Sequence, residues 1–356
     1  MSDPVNLNEY ELLARERLLP MVYDYFAEGA NDEVTFAENM HSWQRLRLRP
    51  RVLVDVSHID TSTTLLGHAV DMPVLTAPCS FNALAHPEGE CAVARATSAA
   101  CILQIVSMTA SKSVEEIAAT SPGPRWFQLI CFRDREITRD LVRRAEAAQC
   151  SALCLTVDQP LQGCRERDIR NRFHLPQDVT MKNLEPYAAD RLPAGDGSPL
   201  ARFTNEMFDP TLTWEVITWL RSITRLPILV KGILTAEAAN LALEHGAAGV
   251  IVSNHGGRQL DGTLSTCEAL PAIVDAIGGR AEVLVDAGIR RGTDVLKALA
   301  LGARAVIVGR PYLWGLAVDG EAGVSRVLEM LRQEFILAMG LTGRVAIGEI
   351  DRSLII

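Results

Sequence analysis

A histidine and an arginine stand three residues apart in the segment VSNHGGRQLDG, which begins at the end of a short apolar run. His255 carries the side chain best suited to act as a general base near neutral pH, and Arg258 can hold a carboxylate through two parallel hydrogen bonds. Asp158 follows another apolar run and is suited to orient and stabilise the imidazolium. These residues predict a base and an anion clamp that face one substrate. The alternative is a histidine in a glycine-rich turn beside a solvent-exposed arginine.

Other polar residues also stand at or just beyond apolar runs, namely Ser107, Gln128, Thr156, Lys231, Ser253, Asp286 and Arg290. Any one of them alone is more often structural than functional, but together they predict a polar ligand at one rim of the fold. Glycine and arginine follow the last two runs, in VDAGIRRGTDV and VIVGRPYLW, and glycines let backbone N–H groups approach an anion closely. A phosphate-bearing ligand is therefore predicted. Neither GxGxxG nor GxxxxGK[ST] occurs, so neither a Rossmann dinucleotide site nor a P-loop is indicated.

The apolar runs alternate with helical stretches, which is typical of parallel βα units. Eight strands are predicted, ending at Ala77, Val106, Leu129, Val157, Lys231, Ser253, Asp286 and Gly309. Helices are predicted between them in SVEEIAAT, RDLVRRAEAAQ, TAEAANLALEHG and TDVLKALALGA, where apolar residues recur at spacings of three and four. Eight such units predict an α/β fold, a (β/α)8 TIM barrel, whose chemistry lies at the carboxyl ends of the strands.

The remaining segments are predicted to serve this barrel. The whole chain, 1–356, is expected to form a single domain, with a helical cap over 1–71 and the barrel over 72–356. The connection after the fourth strand, 158–211, is long and contains YAADRLPAGDGSPL. Long connections in compact domains are usually functional lids or disordered segments, and here we predict a lid over the mouth of the barrel.

Composition narrows the class of protein. The formal net charge of -9 at pH 7 disfavours a nucleic-acid-binding surface. The sequence has no apolar run long enough to span a bilayer and begins with polar rather than signal-like residues, which predicts a cytoplasmic protein without membrane contact. The eight cysteines form no CxxC pair, so we predict neither disulfides nor a metal site.

Taken together, the motifs resemble those of the FMN-dependent 2-hydroxy acid oxidase and dehydrogenase family. The matching segments include MVYDYFAEGA, RPRVLVDVS, WFQL, LTVDQP, RERDIRNRF, LPILVKGI, SNHGGRQLD, DAGIRRGTD and VGRP. The resemblance implies FMN as the cofactor and oxidation of a small (S)-2-hydroxy acid to the 2-oxo acid. It also implies a homo-oligomer, either a tetramer or an octamer.

The resemblance assigns roles to individual residues. On the cofactor side these are Pro78, Cys79, Ser80, Ser107, Gln128, Thr156, Lys231 and Ser253 near the flavin ring, Asp286 at the ribityl chain, and Gly288, Arg290, Gly309 and Arg310 at the phosphate. The substrate carboxylate is implied to lie on Tyr25, Arg165 and Arg258. His255 then takes either the α-proton or the hydroxyl proton while Asp158 steadies the imidazolium, and the sequence leaves both routes open.

Three residues depart from the family pattern. Ile130 follows FQL where relatives carry a tyrosine whose hydroxyl meets the substrate, and losing such an interaction typically costs on the order of a hundredfold in rate unless another group replaces it. Thr109 stands where glycolate oxidase has a tryptophan, so Thr109 and Ile130 together predict a wider, more apolar pocket for a longer or branched acid. Ser80 stands near the flavin where Ala or Gly is common, which leaves the electron acceptor open.

The preferred interpretation is an oxidase that passes electrons to O2 and releases H2O2. A dehydrogenase with another electron acceptor is one alternative. A second is a flavin barrel that converts phosphorylated substrates without net oxidation, which the joint presence of His255, Arg258 and Arg165 disfavours. A third is an FMN-binding relative that has an altered substrate or has lost ordinary turnover through Ile130.

Overall fold

The N-terminal segment forms three helices and a hairpin. The computed structural model describes residues 4–193 and 197–356 of the chain. The helices are α1 (Leu7–Arg17), α2 (Pro20–Ala27) and α3 (Val34–Arg45), and the antiparallel hairpin is β1 (Thr63–Leu65) and β2 (His68–Val70). The helical part of the cap that the sequence predicts is therefore present.

Eight further strands close into a barrel in which every neighbouring pair is parallel. They are β3 (Val74–Thr76), β4 (Leu103–Ser107), β5 (Arg125–Leu129), β6 (Leu153–Thr156), β7 (Ile228–Ile233), β8 (Gly249–Val252), β9 (Glu282–Val285) and β10 (Ala305–Val308). β10 pairs with β3 and closes the ring. Each of the eight predicted strands is present and ends within two residues of its predicted position, so the (β/α)8 barrel is confirmed.

Helices occupy the connections between the strands. They are α4 (Gly89–Ala99), α5 (Val114–Thr120), α6 (Arg135–Ala147), α7 (Glu166–Arg170), α8 (Pro199–Met207), α9 (Glu215–Ile223), α10 (Ala236–Glu244), α11 (Thr266–Ile277), α12 (Gly292–Ala300) and α13 (Arg310–Leu341), which is kinked at Asp319 and Gly320. Ser113 and Ser265 begin α5 and α11 with capping boxes. Gly246 and Gly302 follow the ends of α10 and α12 with positive φ, as the predicted helix stops require.

Alternation along the strands divides the barrel interior into an apolar layer and a polar layer, because every second residue of a strand points to the same face. The apolar layer contains Leu103, Ile105, Trp126, Cys154, Leu229, Ile251, Leu284 and Ile307, together with Leu65 and Val70 of the hairpin. The next residues in the same alternation, toward the carboxyl ends, are Ser107, Gln128, Thr156, Lys231, Ser253, Asp286 and Gly309. The hairpin therefore packs into the apolar end of the barrel, and the opposite end presents polar side chains.

The long connection after β6 is more ordered than a plain loop. It contains α7, a 3-10 helix over Lys182–Tyr187, and α8. Phe203 is buried in α8, and Phe208 forms an isolated β-bridge with Phe132. Residues 194–196 of the predicted lid lie outside the described residues. The rest of this segment packs on the barrel as a cover.

Three further observations concern the described part of the chain. None of its helices combines the length and the apolar character that a membrane span requires. No group of three or more His, Cys, Asp or Glu side chains in residues 4–193 and 197–356 is arranged to hold a metal ion. All eight cysteines are free thiols, and four of them, Cys131, Cys150, Cys154 and Cys267, are buried.

Candidate active site

A cleft open to solvent lies at the carboxyl end of the barrel. All but two of the predicted site residues line it, namely Tyr25, Pro78, Cys79, Ser80, Ser107, Thr109, Gln128, Ile130, Thr156, Arg165, Lys231, His255, Arg258, Asp286, Gly288, Arg290, Gly309 and Arg310. The other two, Asp158 and Ser253, lie behind the wall and hydrogen-bond to His255 and Lys231. Residues far apart in the sequence are thus brought to one place.

His255 and Asp158 form a hydrogen-bonded pair. Nδ1 of His255 lies 2.9 Å from Oδ1 of Asp158, so Nε2 is the ring nitrogen left for the cleft. Burial lowers the pKa of His255, although Asp158 acts in the opposite direction. Burial acts to raise the pKa of Asp158, but His255 and Lys231 outweigh it and lower that pKa. Near neutral pH the pair is therefore a neutral imidazole beside an ionised carboxylate, which is the state that a general base needs.

Unusual backbone conformations bring this pair together. His255 has φ 59°, in the left-handed region that is uncommon for residues other than glycine, and its amide donates to Ser253 Oγ at 3.1 Å. Gly232 has φ 108°, and a Cβ at this position would lie 2.6 Å from the Cβ of Asp158. The glycine after Lys231 therefore permits the close approach between β7 and the residue that supports the base.

Lys231, Ser253 and Asp286 form a buried charged cluster. Lys231 Nζ donates to Ser253 Oγ at 2.8 Å and lies 3.2 Å from Asp286 Oδ2, and Ser253 Oγ donates to the same oxygen at 2.8 Å. Burial acts to lower the pKa of Lys231, but Asp286 and Asp158 raise it, so the ammonium is charged. Asp286 Oδ1 is buried without a hydrogen-bond partner among the described residues. Because such an oxygen is costly, it indicates a donor on a ligand in the cleft.

A chain of hydroxyl and amide groups runs along the carboxyl ends of four strands, β3 to β6. Ser80 Oγ lies 2.6 Å from Thr109 Oγ1, which lies 3.0 Å from Ser107 Oγ. Ser107 donates to Gln128 Oε1 at 3.2 Å, and Gln128 Nε2 donates to Thr156 Oγ1 at 3.1 Å. Two of the residues that depart from the family pattern, Ser80 and Thr109, are thus hydrogen-bonded to each other. The chain provides a polar edge that suits the hydrogen-bonding edge of a flat ring.

Four arginines bring positive charge into the cleft, namely Arg165, Arg258, Arg290 and Arg310. In the described residues their close partners are neutral oxygens. Arg258 and Arg310 donate to the backbone oxygen of Glu28 at 2.9 and 2.7 Å, and Arg290 donates to the oxygen of Ile289 at 3.0 Å. Guanidinium groups without carboxylate partners in a buried cleft favour the binding of anions.

Two of these arginines mark the predicted phosphate end, where Gly288 and Gly309 also lie. A Cβ at Gly288 would lie 1.9 Å from the backbone oxygen of Asn39, so this glycine is required by the approach of α3. At Gly309 the nearest atoms to a Cβ would be 3.5 Å away, which is ordinary contact. Gly288 lines the cleft as predicted, and its absent side chain also makes room for the cap helix. Its role toward an anion stays a prediction.

The other two arginines lie beside Tyr25. The Arg258 guanidinium stands over the Tyr25 ring at 5.2 Å, and that ring stacks on Phe173 with centroids 4.4 Å apart. Burial raises the pKa of Tyr25 to about 12, so its hydroxyl keeps the proton and can donate it in a hydrogen bond. Burial and the neighbouring Arg258 lower the pKa of Arg165 to about 10, which still leaves it charged near neutral pH. These three residues form an anion-binding corner.

The cover contributes residues that the sequence did not single out. Gln162 binds Arg165: in the amide orientation that satisfies both partners, its oxygen accepts from Arg165 Nη2 at 2.8 Å and its nitrogen donates to Thr204 Oγ1 at 3.1 Å. Met181, Leu192, Leu200, Phe203 and Phe208 add apolar surface to the cleft, which Ile130 continues from the barrel side. Their apolar character within a polar connection was the available signal.

The cleft fits FMN. Two guanidinium groups suit its phosphate, the unpartnered oxygen of Asp286 suits a hydroxyl of the ribityl chain, and Lys231 with the hydroxyl and amide chain suits the ring. The histidine base and the second pair of arginines are placed for a small acid beside it. Fold and site together define a flavin-dependent oxidoreductase built on a barrel.

Comparison with known proteins agrees. A family model described as FMN-dependent dehydrogenase matches residues 14–356. Glycolate oxidase from Spinacia oleracea is 51% identical over 98% of this chain and 94% of its own length, and L-lactate oxidase from a Nostoc species is 49% identical over 99% and 98%. The solved structure of mandelate oxidase with (S)-4-hydroxymandelic acid has a TM-score of 0.93 and 44% identity over 97% of both chains.

The chain therefore belongs to the FMN-dependent dehydrogenase family. FMN is its cofactor, and the family resemblance predicted from its motifs is confirmed.

Proposed function

We propose that this protein oxidises an (S)-2-hydroxy acid with a longer or branched apolar substituent to the 2-oxo acid, with O2 as the electron acceptor and H2O2 as the second product. The observation that carries the proposal is the His255–Asp158 pair facing the same cleft as Arg165 and Arg258. The names of the relatives, glycolate, L-lactate and mandelate oxidase, support the substrate class and the acceptor.

The substrate carboxylate is held in the anion-binding corner. Arg165 and Arg258 offer charged donors in the cleft, and the protonated Tyr25 hydroxyl adds a neutral donor. Two guanidinium groups and one hydroxyl fix both oxygens of a carboxylate, which orients the α-carbon. A neutral alcohol without a carboxylate would gain none of these contacts.

His255 takes the proton. Its Nε2 accepts either the α-proton or the hydroxyl proton, and the ionised Asp158 stabilises the imidazolium that results. FMN, when bound, supplies the acceptor for the two electrons that leave the substrate. Lys231 keeps a positive charge buried in the cleft, where it offsets negative charge that develops during the reaction.

The side chain that the substrate carries on its α-carbon faces apolar surface. Ile130 has no hydroxyl, and Leu200, Phe203 and Phe208 line the cleft from the cover. Phe208 packs edge-on against both Phe132 and Phe203, with ring centroids 5.5 and 5.6 Å apart, so this surface is firmly held. A hydroxy acid with an aliphatic or aromatic substituent buries more apolar area here than glycolate does.

Two other functions differ from the proposal, one in the electron acceptor and one in the effect of Ile130 on turnover. A dehydrogenase would pass electrons to a carrier other than O2. An FMN-binding relative with lost ordinary turnover is favoured by one observation, the absence of a hydroxyl at Ile130.

We further propose that the protein is cytoplasmic and assembles into a homotetramer or homo-octamer. The elution volume on size-exclusion chromatography tests the assembly.

The test is oxygen consumption by the purified holoenzyme with glycolate, both lactates, both mandelates and (S)-2-hydroxy-4-methylpentanoate, with peroxide measured in parallel. One H2O2 per 2-oxo acid, with the branched or aromatic acids preferred, is the expected result. Turnover only with an added dye as acceptor would replace the oxidase by a dehydrogenase. No turnover with any acid under either condition would favour the FMN-binding relative that has lost ordinary turnover.

A further inference from the structure

Two carboxyl groups lie buried behind the anion-binding corner. Glu28 follows α2 and is 0% exposed, and Asp168 in α7 is 2% exposed. Glu28 Oε2 accepts hydrogen bonds from the amides of Arg167 at 3.0 Å and Asp168 at 3.2 Å. Glu28 Oε1 and both carboxyl oxygens of Asp168 are buried without a donor among the described residues. Three unsatisfied oxygens in so small a volume need a physical explanation.

A shared proton explains two of them, because it forms one hydrogen bond that joins one oxygen of each carboxyl group. The two side chains are within hydrogen-bonding reach of each other, yet ionised carboxylates have only acceptors, so the hydrogen bond exists only when one of them is protonated. Two carboxylates that share a buried site cannot both ionise easily. Burial and then Asp168 raise the pKa of Glu28 to about 8, against the opposing charges of Arg258 and Arg165. At neutral pH Glu28 therefore keeps its proton.

We propose that the Glu28–Asp168 pair controls how tightly Arg165 and Arg258 bind the substrate carboxylate, and that loss of the shared proton weakens this binding. While Glu28 is neutral, the two guanidinium groups keep most of their positive charge for the substrate. Once it ionises, a second buried carboxylate attracts the same guanidinium groups. Glu28 is thus a positioning residue, since it acts through the arginines. The inference rests on the proposed function, because it takes these arginines as the carboxylate site.

The surroundings of Glu28 allow this coupling. Its backbone oxygen already accepts from Arg258 Nη1 at 2.9 Å and from Arg310 Nη2 at 2.7 Å, so the residue is physically attached to the corner. The other cation nearby, Arg167, pairs outward with Glu33 at 2.7 Å and Asp24 at 3.7 Å. The pKa of Tyr25 is raised to about 12 and that of His255 is lowered, so neither titrates where Glu28 does. Burial lowers the pKa of Arg165 to about 10 and that of Arg310 to about 9, so the Glu28→Gln variant is needed to separate their titration from that of Glu28.

The direction of the pH effect follows. A carboxyl whose pKa is raised in the folded protein keeps its proton below the raised value and loses it above. Anion binding should therefore be tight near neutral pH and weaken as the pH rises through about 8.

The test uses oxalate, a small dicarboxylate with no hydroxyl group to oxidise, whose dissociation constant is read from the change in flavin absorbance of the holoenzyme. Between about pH 6.5 and about pH 9.5 the parent should lose about fivefold or more in affinity, a typical size for coupling between two sites. Glu28→Gln keeps the shape and an amide donor for Asp168. Because its side chain does not titrate, its affinity for oxalate should vary less than twofold over this range, which is below the size of a typical coupling. Glu33→Gln, the matched control, should follow the parent.

Asp168→Asn gives a second prediction of opposite kind. The amide of asparagine can donate to an ionised Glu28, and the repulsion from Asp168 is gone, so Glu28 should ionise at lower pH. The affinity of this variant for oxalate should therefore begin to fall at a lower pH than that of the parent. Infrared spectra give a readout that needs no ligand: a protonated carboxyl band should disappear on raising the pH of the parent and be absent from Glu28→Gln.

The outcomes separate this inference from the proposed function. If Glu28→Gln shows the same alkaline loss as the parent, another group such as a guanidinium titrates and the inference is overturned, whether or not hydroxy acids are oxidised. If no hydroxy acid is oxidised but the oxalate profiles differ as expected, the shared proton stands and the proposed substrate falls. If oxalate binds at no pH, the corner is not a carboxylate site and both are overturned.

Discussion

The strand ends and the cover face the same cleft but are held in different ways. Lys231 and Gln128 extend directly from strands whose backbone positions are set by the parallel ladder. Phe203 and Gln162 belong to a connection with short helices, held by aromatic contacts and by a side-chain bond to Arg165. The strand side therefore has little freedom to change, whereas the cover can exchange one apolar residue for another.

Because of this difference, the strand ends serve the proton transfer and the apolar wall of the cover serves the choice among substrates. The base, its carboxylate partner and the buried ammonium are placed at or just after strand ends, where small displacements would be costly for proton transfer. The apolar wall needs only surface of suitable shape. Changes on the strand side should therefore reduce the rate for every substrate, and changes of the apolar residues in the cover should alter the preference among substrates.

The largest effect is expected for His255→Ala. Removing the general base should slow anaerobic flavin reduction by about 10²- to 10⁴-fold for every acid, while FMN is retained because the cofactor contacts lie elsewhere. The measurement is the rate of flavin bleaching, with FMN content taken from the visible spectrum. His245→Ala, a histidine at the end of α10, is the control. Reduction at the parent rate would show that His255 is not the base.

Asp158→Asn should have the next largest effect, about 10- to 100-fold on the reduction rate, as is typical for a residue that supports a functional group. Since Asp158 raises the pKa of His255, its loss should move the acid limb of the kcat/KM profile to lower pH. In the parent, activity requires neutral His255 and should be lost as the pH falls through a pKa below 6.5. A profile that does not move would remove Asp158 from this role.

Ile130→Tyr changes a residue that follows strand β5 and continues the apolar surface of the cover, so it tests both regions at once. A new hydroxyl near the substrate should raise kcat for glycolate, while the ring narrows the cleft and raises KM for (S)-2-hydroxy-4-methylpentanoate, so the ratio of the two kcat/KM values should change on the order of tenfold. Ile130→Phe adds the ring without the hydroxyl and separates the two causes. Equal changes for both acids would contradict the placement of the substituent.

Phe203→Ala should have the smallest effect. Loss of apolar contact in the cover should raise KM for the branched acid by about three- to tenfold, a size typical of small changes in an apolar pocket, and leave glycolate within about twofold. Phe335→Ala offers a control, since Phe335 is a fully buried aromatic residue of α13 that does not line the cleft. A uniform loss for both acids would mean that the cover serves the chemistry as well as the selection.

The sequence predicts the strand side well because its signals are local. Apolar runs place the strand ends, and alternation then puts Gln128 and Lys231 on the inner face with no knowledge of their partners. His255 and Arg258 are also found from one segment. The sequence further places Asp158 next to a strand end, although its 2.9 Å contact with His255 depends on the conformation at Gly232.

The rest depends on contacts between distant parts of the chain. Glu28 and Asp168 are 140 residues apart, and only packing of α2 against α7 shows that they meet. The hydrogen bond between Ser80 and Thr109 likewise joins two loops, and it links departures that appear separate in the sequence. The cover was predicted as a lid from its length, but α8 and the apolar residues it presents were not, because that connection carries mixed local signals.

The most direct test of this division is anaerobic stopped-flow reduction of the holoenzyme by glycolate and by (S)-2-hydroxy-4-methylpentanoate over a range of concentrations. Both acids should bleach the flavin with limiting rate constants within about tenfold of each other, because the same strand-end residues act on both, and the branched acid should have the lower dissociation constant. Bleaching by neither acid would contradict the proposed oxidation. Equal dissociation constants with widely different limiting rates would contradict the separation of chemistry from selection.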